Sequence, residues 1–294
     1  MQKKQAILIM CHNDFYILEK SLELLDNEKF DFYIHVDAKV NDFDYEKFAK
    51  IIKKGNIFFT SKRINVIWGG YSQIETELLL IKEALSNNDY LYLHLISGSD
   101  LPIKKSTEIC EYFEKNYPLE FIGYNDFNDI KEHMKDRIKY FNFIDNNFKN
   151  DSEQRTNYIK NINLQKKLGV NRLEDTTFSV RVGANWFSIT SELAKYILLN
   201  EKFIKQTFSY GYCADELFLQ TIVHNSVFFK NVCKQYNNDN ENCKRLIDWQ
   251  RGNPYIFRKS DYNEIMLSTA MFARKFSTLV DKEIIDMIYN ELKK

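Results

Sequence analysis

The 294-residue sequence predicts an α/β domain with a mostly parallel central sheet flanked by helices, and three observations predict it. Apolar runs of strand length alternate with stretches of helical period through the first hundred residues, the pattern of a parallel sheet covered on both faces. The composition, 44% hydrophobic and 15% aromatic, supplies the apolar surface such a sheet must bury, and a chain of this length can build a large core. With only 9 Gly and 3 Pro, collagen-like and linker-dominated chains are excluded.

Residues 6–10 (AILIM) read as a buried strand. Phe15, Leu18, Leu22 and Leu25 recur at helical spacing, which predicts a helix over 15–25. A second strand follows at 32–36, a helix at 44–52, a short strand at 56–59, a long amphipathic helix at 72–85 and a near-continuous apolar strand at 90–96. From about 125 to 175 the pattern loosens into Asn-, Lys- and Asp-rich sequence around Tyr140-Phe141-Asn142-Phe143, and an irregular insertion over the site is expected. Regularity returns with a strand at 185–189 and helices at 191–199 and 214–225. An exposed turn is expected at 237–242, then helical stretches at 261–272 and 281–292. One domain is therefore expected over 1–294, with halves 1–124 and 176–294 on either side of the insertion.

Parallel sheets collect ligands at the carboxyl ends of their strands. That rule singles out Cys11-His12-Asn13, Asp37 with Lys39, and Ser97-Gly98-Ser99-Asp100. Asp37 and Lys39 suit a nucleoside hydroxyl and a phosphate, or else form a surface loop. Arg274-Lys275, between aromatics, either favours a helix C-terminal dipole or binds phosphate. In Tyr210-Gly211-Tyr212-Cys213-Ala214-Asp215-Glu216 the acidic pair either begins a helix or supplies a general base.

Several classes lack support. The 41 basic and 41 acidic residues cancel, so no global cationic field draws the chain to nucleic acid. The apolar run after the first lysines ends within about five residues, too short for a signal peptide or a membrane span. Five scattered cysteines without a CxxC pair suit a reducing, cytoplasmic setting. No GxGxxG, P-loop, HExxH or Gly-x-Ser-x-Gly motif occurs. Asp42-Phe43-Asp44 is an Asp-x-Asp, but it enters a helix instead of ending a sizeable strand, and Asp100 has no acidic neighbour two positions away.

Seven segments, in order, resemble the core-2/I-branching glycosyltransferases, which include the peptide O-xylosyltransferases. They are Ile34-His35-Val36-Asp37-Ala38-Lys39, Val66-Ile67-Trp68-Gly69-Gly70-Tyr71-Ser72, Leu95 to Lys104, Gly183-Ala184-Asn185-Trp186-Phe187, Ala214 to Thr221, Leu246-Ile247-Asp248-Trp249 and Phe272-Ala273-Arg274-Lys275-Phe276. The resemblance covers roughly residues 5 to 280 and implies a GT-A type fold, a UDP-sugar donor, inversion at the anomeric carbon and no metal ion or other cofactor. It implies a glycan acceptor and a nucleotide-binding half ahead of an acceptor-binding, catalytic half; the family's donors span GlcNAc, xylose and glucuronic acid, and GlcNAc is the one expected here. Carried over residue by residue, it makes Glu216 the general base and Arg274 and Lys275 the cations on the diphosphate. Asp37 and Lys39 become nucleoside contacts, and Arg245 or Arg251 a further phosphate contact. Asn185, Trp186 and Arg137 then face the acceptor, with Trp68 and Asp100 also on the sugar side; Trp186 is expected to offer a flat face to a sugar ring.

Where the family's eukaryotic members are commonly membrane-anchored and disulfide-bonded, this chain's five scattered cysteines depart from that pattern, and a bacterial-type, cytoplasmic member is expected, with peripheral association at the inner face of the membrane left open. A metal-dependent GT-A transferase using Asp100 or Asp42 and Asp44, a xylosyltransferase-like donor choice, a nucleotidyltransferase and a catalytically silent sugar-binding protein stand as alternatives.

Overall fold

The computed structural model describes residues 3–125, 130–145, 148, 151–234 and 239–294. Among them are nine strands: β1 (Gln5–Cys11), β2 (Phe30–Val36), β3 (Asn56–Phe59), β4 (Tyr92–Ser97), β5 (Leu101–Pro102), β6 (Phe121–Ile122), β7 (Phe187–Thr190), β8 (Arg245–Ile247) and β9 (Phe272–Arg274). Six form the central sheet in the order β3-β2-β1-β4-β7-β6. The first four are mutually parallel, whereas β7 runs antiparallel to both β4 and β6. The predicted α/β class with a mostly parallel sheet is the architecture observed.

Alternation along β1 shows why its sequence is apolar throughout. Ala6 and Leu8 pack with Ile74, Leu78 and Ile81 of the helix Ser72–Asn87, while Ile7 and Ile9 pack with Leu18, Leu22 and Leu25 of the helix Phe15–Leu25. Both sheet faces are buried, so neither face requires polar residues. Register then aligns the carboxyl ends: Cys11 lies beside Val36, and Met10 beside Ser97. Gly98 allows β1 and β4 to meet there, because a Cβ at this position would stand 2.8 Å from the Cys11 Cβ.

A smaller sheet, β5-β9-β8, lies beyond β4 and brings Arg274 to the same edge. The last helix, Thr278–Lys293, packs on Phe15–Leu25. Asp14 joins the two by accepting hydrogen bonds from the Thr278 backbone N–H (2.8 Å) and hydroxyl (2.9 Å).

Three expectations are corrected. The helix expected over 214–225 is a 3-10 turn, Ala214–Glu216, followed by a separate helix, Phe218–His224, because Leu217 between them leaves helical geometry at φ −121°. The helical stretch expected over 261–272 stops at Leu267. Phe272 and Ala273 are buried between β5 and β8, and so short an apolar run has no period that distinguishes strand from helix. The 125–175 segment is largely regular where described, with helices Glu132–Lys139 and Ser152–Lys167. The longer is polar nearly throughout, with Gln165 its buried residue, so it carries no hydrophobic period to read.

Of the exposed turn expected at 237–242, residues 237 and 238 lie outside the described residues, and Asp239–Asn242 instead form a short helix with Asn240 and Asn242 buried. No helix among the described residues is long and apolar enough to cross a membrane. No disulfide links the five cysteines.

Candidate active site

At the end of β2, the Asp37 N–H donates to the Cys11 carbonyl at 2.9 Å. The Asp37 carboxylate accepts from the Lys39 N–H (2.8 Å), the Lys39 ammonium (3.0 Å) and the Val66 N–H (3.3 Å). Lys39 also donates to Asn65 Oδ1 (2.9 Å) and the Val66 carbonyl (2.6 Å). The predicted pair therefore stands together at the sheet mouth, already paired internally and fastened to the 65–66 segment. Beneath it, His35 Nε2 accepts from the Ile64 N–H at 2.8 Å. Burial pushes the His35 pKa down to about 4, against the opposing charge of Asp37, so the ring is the neutral acceptor this bond requires.

Two strands across, about 10 Å away at the usual strand spacing, Asp100 is 2% exposed. It accepts from the Ser97 N–H (2.8 Å) and hydroxyl (2.7 Å), and lies 3.4 Å from Arg274 Nε. Arg274 ends strand β9, paired with Ile247 of β8, and not a helix; the helix-dipole reading of the Arg274-Lys275 pair is thereby corrected. Its guanidinium lies 4.0 Å over the Trp186 ring. Trp186 is itself 6% exposed, so the ring expected to receive a sugar is instead covered by Arg274. Burial lowers the Arg274 pKa, and Asp100 opposes that shift. Lys275 follows, its N–H donating to the Tyr255 carbonyl at 3.4 Å.

The two further arginines separate clearly. Arg245 is 2% exposed and spends its guanidinium on Ser188 Oγ (2.9 Å) and the carbonyls of Leu95 (2.9 Å), Phe187 (2.6 Å) and Cys243. It fastens β8 to β4 and β7, and its expected phosphate contact is corrected to a structural one. Arg251 is exposed and pairs with Asp248, Asp261 (2.8 Å) and Glu264 (2.9 Å), stacked 4.3 Å over Tyr255. Since Tyr255 also accepts from Lys275, Arg251 belongs to the loop bordering the cation pair.

Glu216 lies in the 3-10 turn with its side chain 39% exposed. Its Oε2 accepts from Arg137 Nη2 at 2.7 Å. Arg137 also donates to the carbonyls of Tyr212 (2.9 Å) and Cys213 (2.6 Å), so it fixes the turn as well as the carboxylate. Burial alone would weaken the Arg137 charge, but Glu216 and its neighbours raise the pKa overall. Trp68 is 45% exposed on the adjoining turn, its ring edge-on to Tyr212. Gly69 holds that turn at φ +76°, and its carbonyl accepts from the Cys213 N–H at 2.8 Å.

One short segment joins base and cation. The Gly183 N–H donates to the Glu216 carbonyl at 2.9 Å, and Trp186, three residues on, lies under Arg274. Three residues span at most about 11 Å. Asn185 sits within this strap, half-buried between the two groups. Gln73 was not singled out from the sequence, and Asp215 only as half of the acidic pair. Gln73 Nε2 donates to Asp215 Oδ2 at 3.0 Å, and its Oε1 accepts from the Gly69 N–H at 2.6 Å. No spacing signal announces a bond between residues 142 apart.

A carboxylate braced by an arginine, and a buried cation joined to its turn by a short strap, make up the candidate site. Residues 6–269 match the family described as Core-2/I-Branching enzyme, and the chain belongs to that family of glycosyltransferases. Among similar proteins, xylosyltransferase 1 of Rattus norvegicus is 24% identical over 288 residues, covering 92% of this chain and 33% of the relative. Xylosyltransferase sqv-6 of Caenorhabditis briggsae is 26% identical over 277 residues, covering 87% and 32%. The chain thus spans about a third of the length of these curated relatives. The solved structure of mouse xyloside xylosyltransferase 1, apo form, aligns with TM-score 0.38 and 9% identity, covering 92% of this chain and 97% of that one.

Proposed function

We propose that the chain transfers a sugar from a UDP-sugar to a hydroxyl of a glycan acceptor, with inversion, Glu216 as general base and no metal ion. The observation that carries the reading is the Gly183–Trp186 strap, itself at most about 11 Å long, which is hydrogen-bonded at one end to the turn of a solvent-facing carboxylate and lies at the other under the Arg274 cation. The acceptor oxygen forms a bond to the anomeric carbon as the bond to the diphosphate breaks. Its proton passes to Glu216, and the electron pair leaves on UDP. Arg274, oriented by Asp100 and Trp186 before substrate arrives, and Lys275 answer the charge developing on the diphosphate. Trp68 gives the acceptor an exposed ring face, and Asn185 an amide for its hydroxyls.

Metal independence draws support from the acidic groups a metal would use. Asp100 is engaged by Ser97 and Arg274, and Asp44 caps the helix Tyr45–Ala49 by accepting from the Lys47 N–H. The donor proposed first is UDP-GlcNAc. The xylosyltransferase names of the relatives favour a second reading, UDP-xylose. The unlinked cysteines support a cytoplasmic, reducing setting for the reaction.

The test offers UDP-GlcNAc and UDP-xylose with a panel of glycan acceptors, after EDTA treatment and again with Mn²⁺ restored. Turnover with UDP-GlcNAc that survives EDTA is expected. Loss to EDTA with recovery on Mn²⁺ would defeat metal independence, and turnover confined to UDP-xylose would promote the second donor. Sugar binding without consumption of any donor would reject the enzymatic reading.

A further inference from the structure

In the turn of Glu216 and the helix packed on it, three buried carboxylate oxygens have no hydrogen-bond partner among the described residues: both oxygens of Glu77 and Oδ1 of Asp215. Glu77 is fully buried on the helix Ser72–Asn87, which packs against the turn Ala214–Glu216. Asp215 is 5% exposed, and its other oxygen takes the Gln73 amide. An ionised buried carboxylate without donors is strongly disfavoured, and the charge of a second one acting on it adds repulsion. A single proton relieves both costs, since a carboxylic acid O–H donates where a carboxylate can only accept.

We propose that Glu77 and Asp215 hold one proton between them, and that this pair is a positioning device which braces the turn carrying Glu216. The pair rests on the reading of Glu216 as base. Through Gln73, Asp215 is linked to the Gly69 N–H, while the Gly69 carbonyl receives the Cys213 N–H. The turn that presents Glu216 is thus fastened to the Trp68–Gly70 turn on both sides of residue 214. If the pair held no proton, Asp215 and Glu216 would both draw on the Arg137 guanidinium, which already pairs with Glu216, while Glu77 stayed charged and buried.

The proton belongs chiefly to Glu77. Burial, then the charge of Asp215, raises the Glu77 pKa well above the carboxylate range. Asp215 is raised too, by burial and by Glu216, with Arg137 and the nearby backbone N–H groups of Asp215 and Glu216 opposing. Cys213, in the same turn, is held as a thiol by burial and by Asp215. Other elements packed on this helix carry Cys11 on β1, Asp31, Tyr33 and His35 on β2, and Glu192, Lys195 and Tyr196 on the helix Ser191–Leu199. Asp31 is paired with Lys4 and Lys195 with Asp89, which leaves Asp215 as the charge acting on Glu77.

The first experiment needs no substrate: unfolding by urea from pH 5 to pH 8, comparing the whole chain with its E77Q variant. Folded protein keeps a proton that the unfolded chain releases above the ordinary carboxylate range, so one proton lowers the wild-type folding constant about tenfold per pH unit. E77Q has no such proton, and the ratio of its folding constant to that of wild type should climb about tenfold per unit. Parallel curves would overturn the shared proton.

The second experiment separates bracing from bulk packing. E77Q keeps a donor for Asp215 and E77L does not, so kcat of E77L should fall at least tenfold below that of E77Q while KM for the donor sugar is common to both. Equal kcat in the two would overturn the positioning role. Diverging pH curves in a chain that transfers no sugar would leave the shared proton standing and reject its service to a base, together with the proposed function.

Discussion

Glu216 combines two properties that a single segment cannot supply: a carboxylate open to solvent and a fixed orientation. The first follows from its place in a 3-10 turn, the second from Arg137, 79 positions away, whose guanidinium also holds the Tyr212 and Cys213 carbonyls. If that carboxylate takes the acceptor proton, Glu216→Gln should lower kcat by roughly two to four orders of magnitude, the range general acid–base catalysis contributes. UDP affinity, measured by calorimetry, should change little, because the base faces the acceptor. Near-normal turnover would exclude Glu216 as base. The residue was legible in the sequence as an acidic pair after a glycine turn; Arg137 was marked only by the resemblance, as an acceptor contact, and its pairing with Glu216 was not legible, because a guanidinium arriving from a separate helix leaves no trace at local spacing. Trp186 shows the converse. Its motif was legible, but only packing reveals that Arg274 covers the ring.

At the scale of elements, the carboxyl edge of the sheet depends on how closely β1 and β4 approach. Gly98 leaves no room for a side chain there, since an added Cβ would come within 2.8 Å of the Cys11 Cβ, and the Gly98 N–H donates to the Met10 carbonyl at 2.9 Å. Gly98→Ala should therefore force the strand ends apart, at about 1–3 kcal/mol of stability, the usual cost of overpacking. The displacement carries Ser97 and Asp100 with it, so UDP binding should weaken as well. Urea unfolding and calorimetry test the two effects, and a variant equal to wild type in both would refute the close-approach account. Elements with a strong period, such as the helices Phe15–Leu25 and Ser191–Leu199, were legible to the residue. Strand β9 was not, because three residues are too few to display alternation.

Across the whole molecule, buried ionisable groups oppose one another in their dependence on pH. His35, lowered from 6.5 to about 4, binds fewer protons folded than unfolded, so its contribution is complete above pH 6.5 and is lost as pH falls to about 4. The magnitude is on the order of 3 kcal/mol. His94, fully buried between Ser188 and Gln5, acts in the same direction. Glu120, raised by burial from 4.5 to about 8, acts in the other: its contribution weakens as pH rises through that window. His35→Gln keeps an acceptor for the Ile64 N–H and removes one titrating group, so its stability between pH 6.5 and 4 should fall less steeply than wild type by one proton. Identical acid slopes in urea unfolding would refute the assignment. By itself the sequence determined the class of fold, the order of the main elements, the strand ends where ligands gather and the motifs that mark the family, because periodicity and strand-end chemistry are local properties of the chain. Tertiary structure alone decided that Arg245 is a clamp, that Trp186 lies under Arg274, that Arg137 holds Glu216, and that Glu77 is buried on the helix packed against the Asp215 turn. Each of these pairings joins residues from different elements, and the free energy of a charge depends on what burial and partners surround it, which no spacing along the chain encodes.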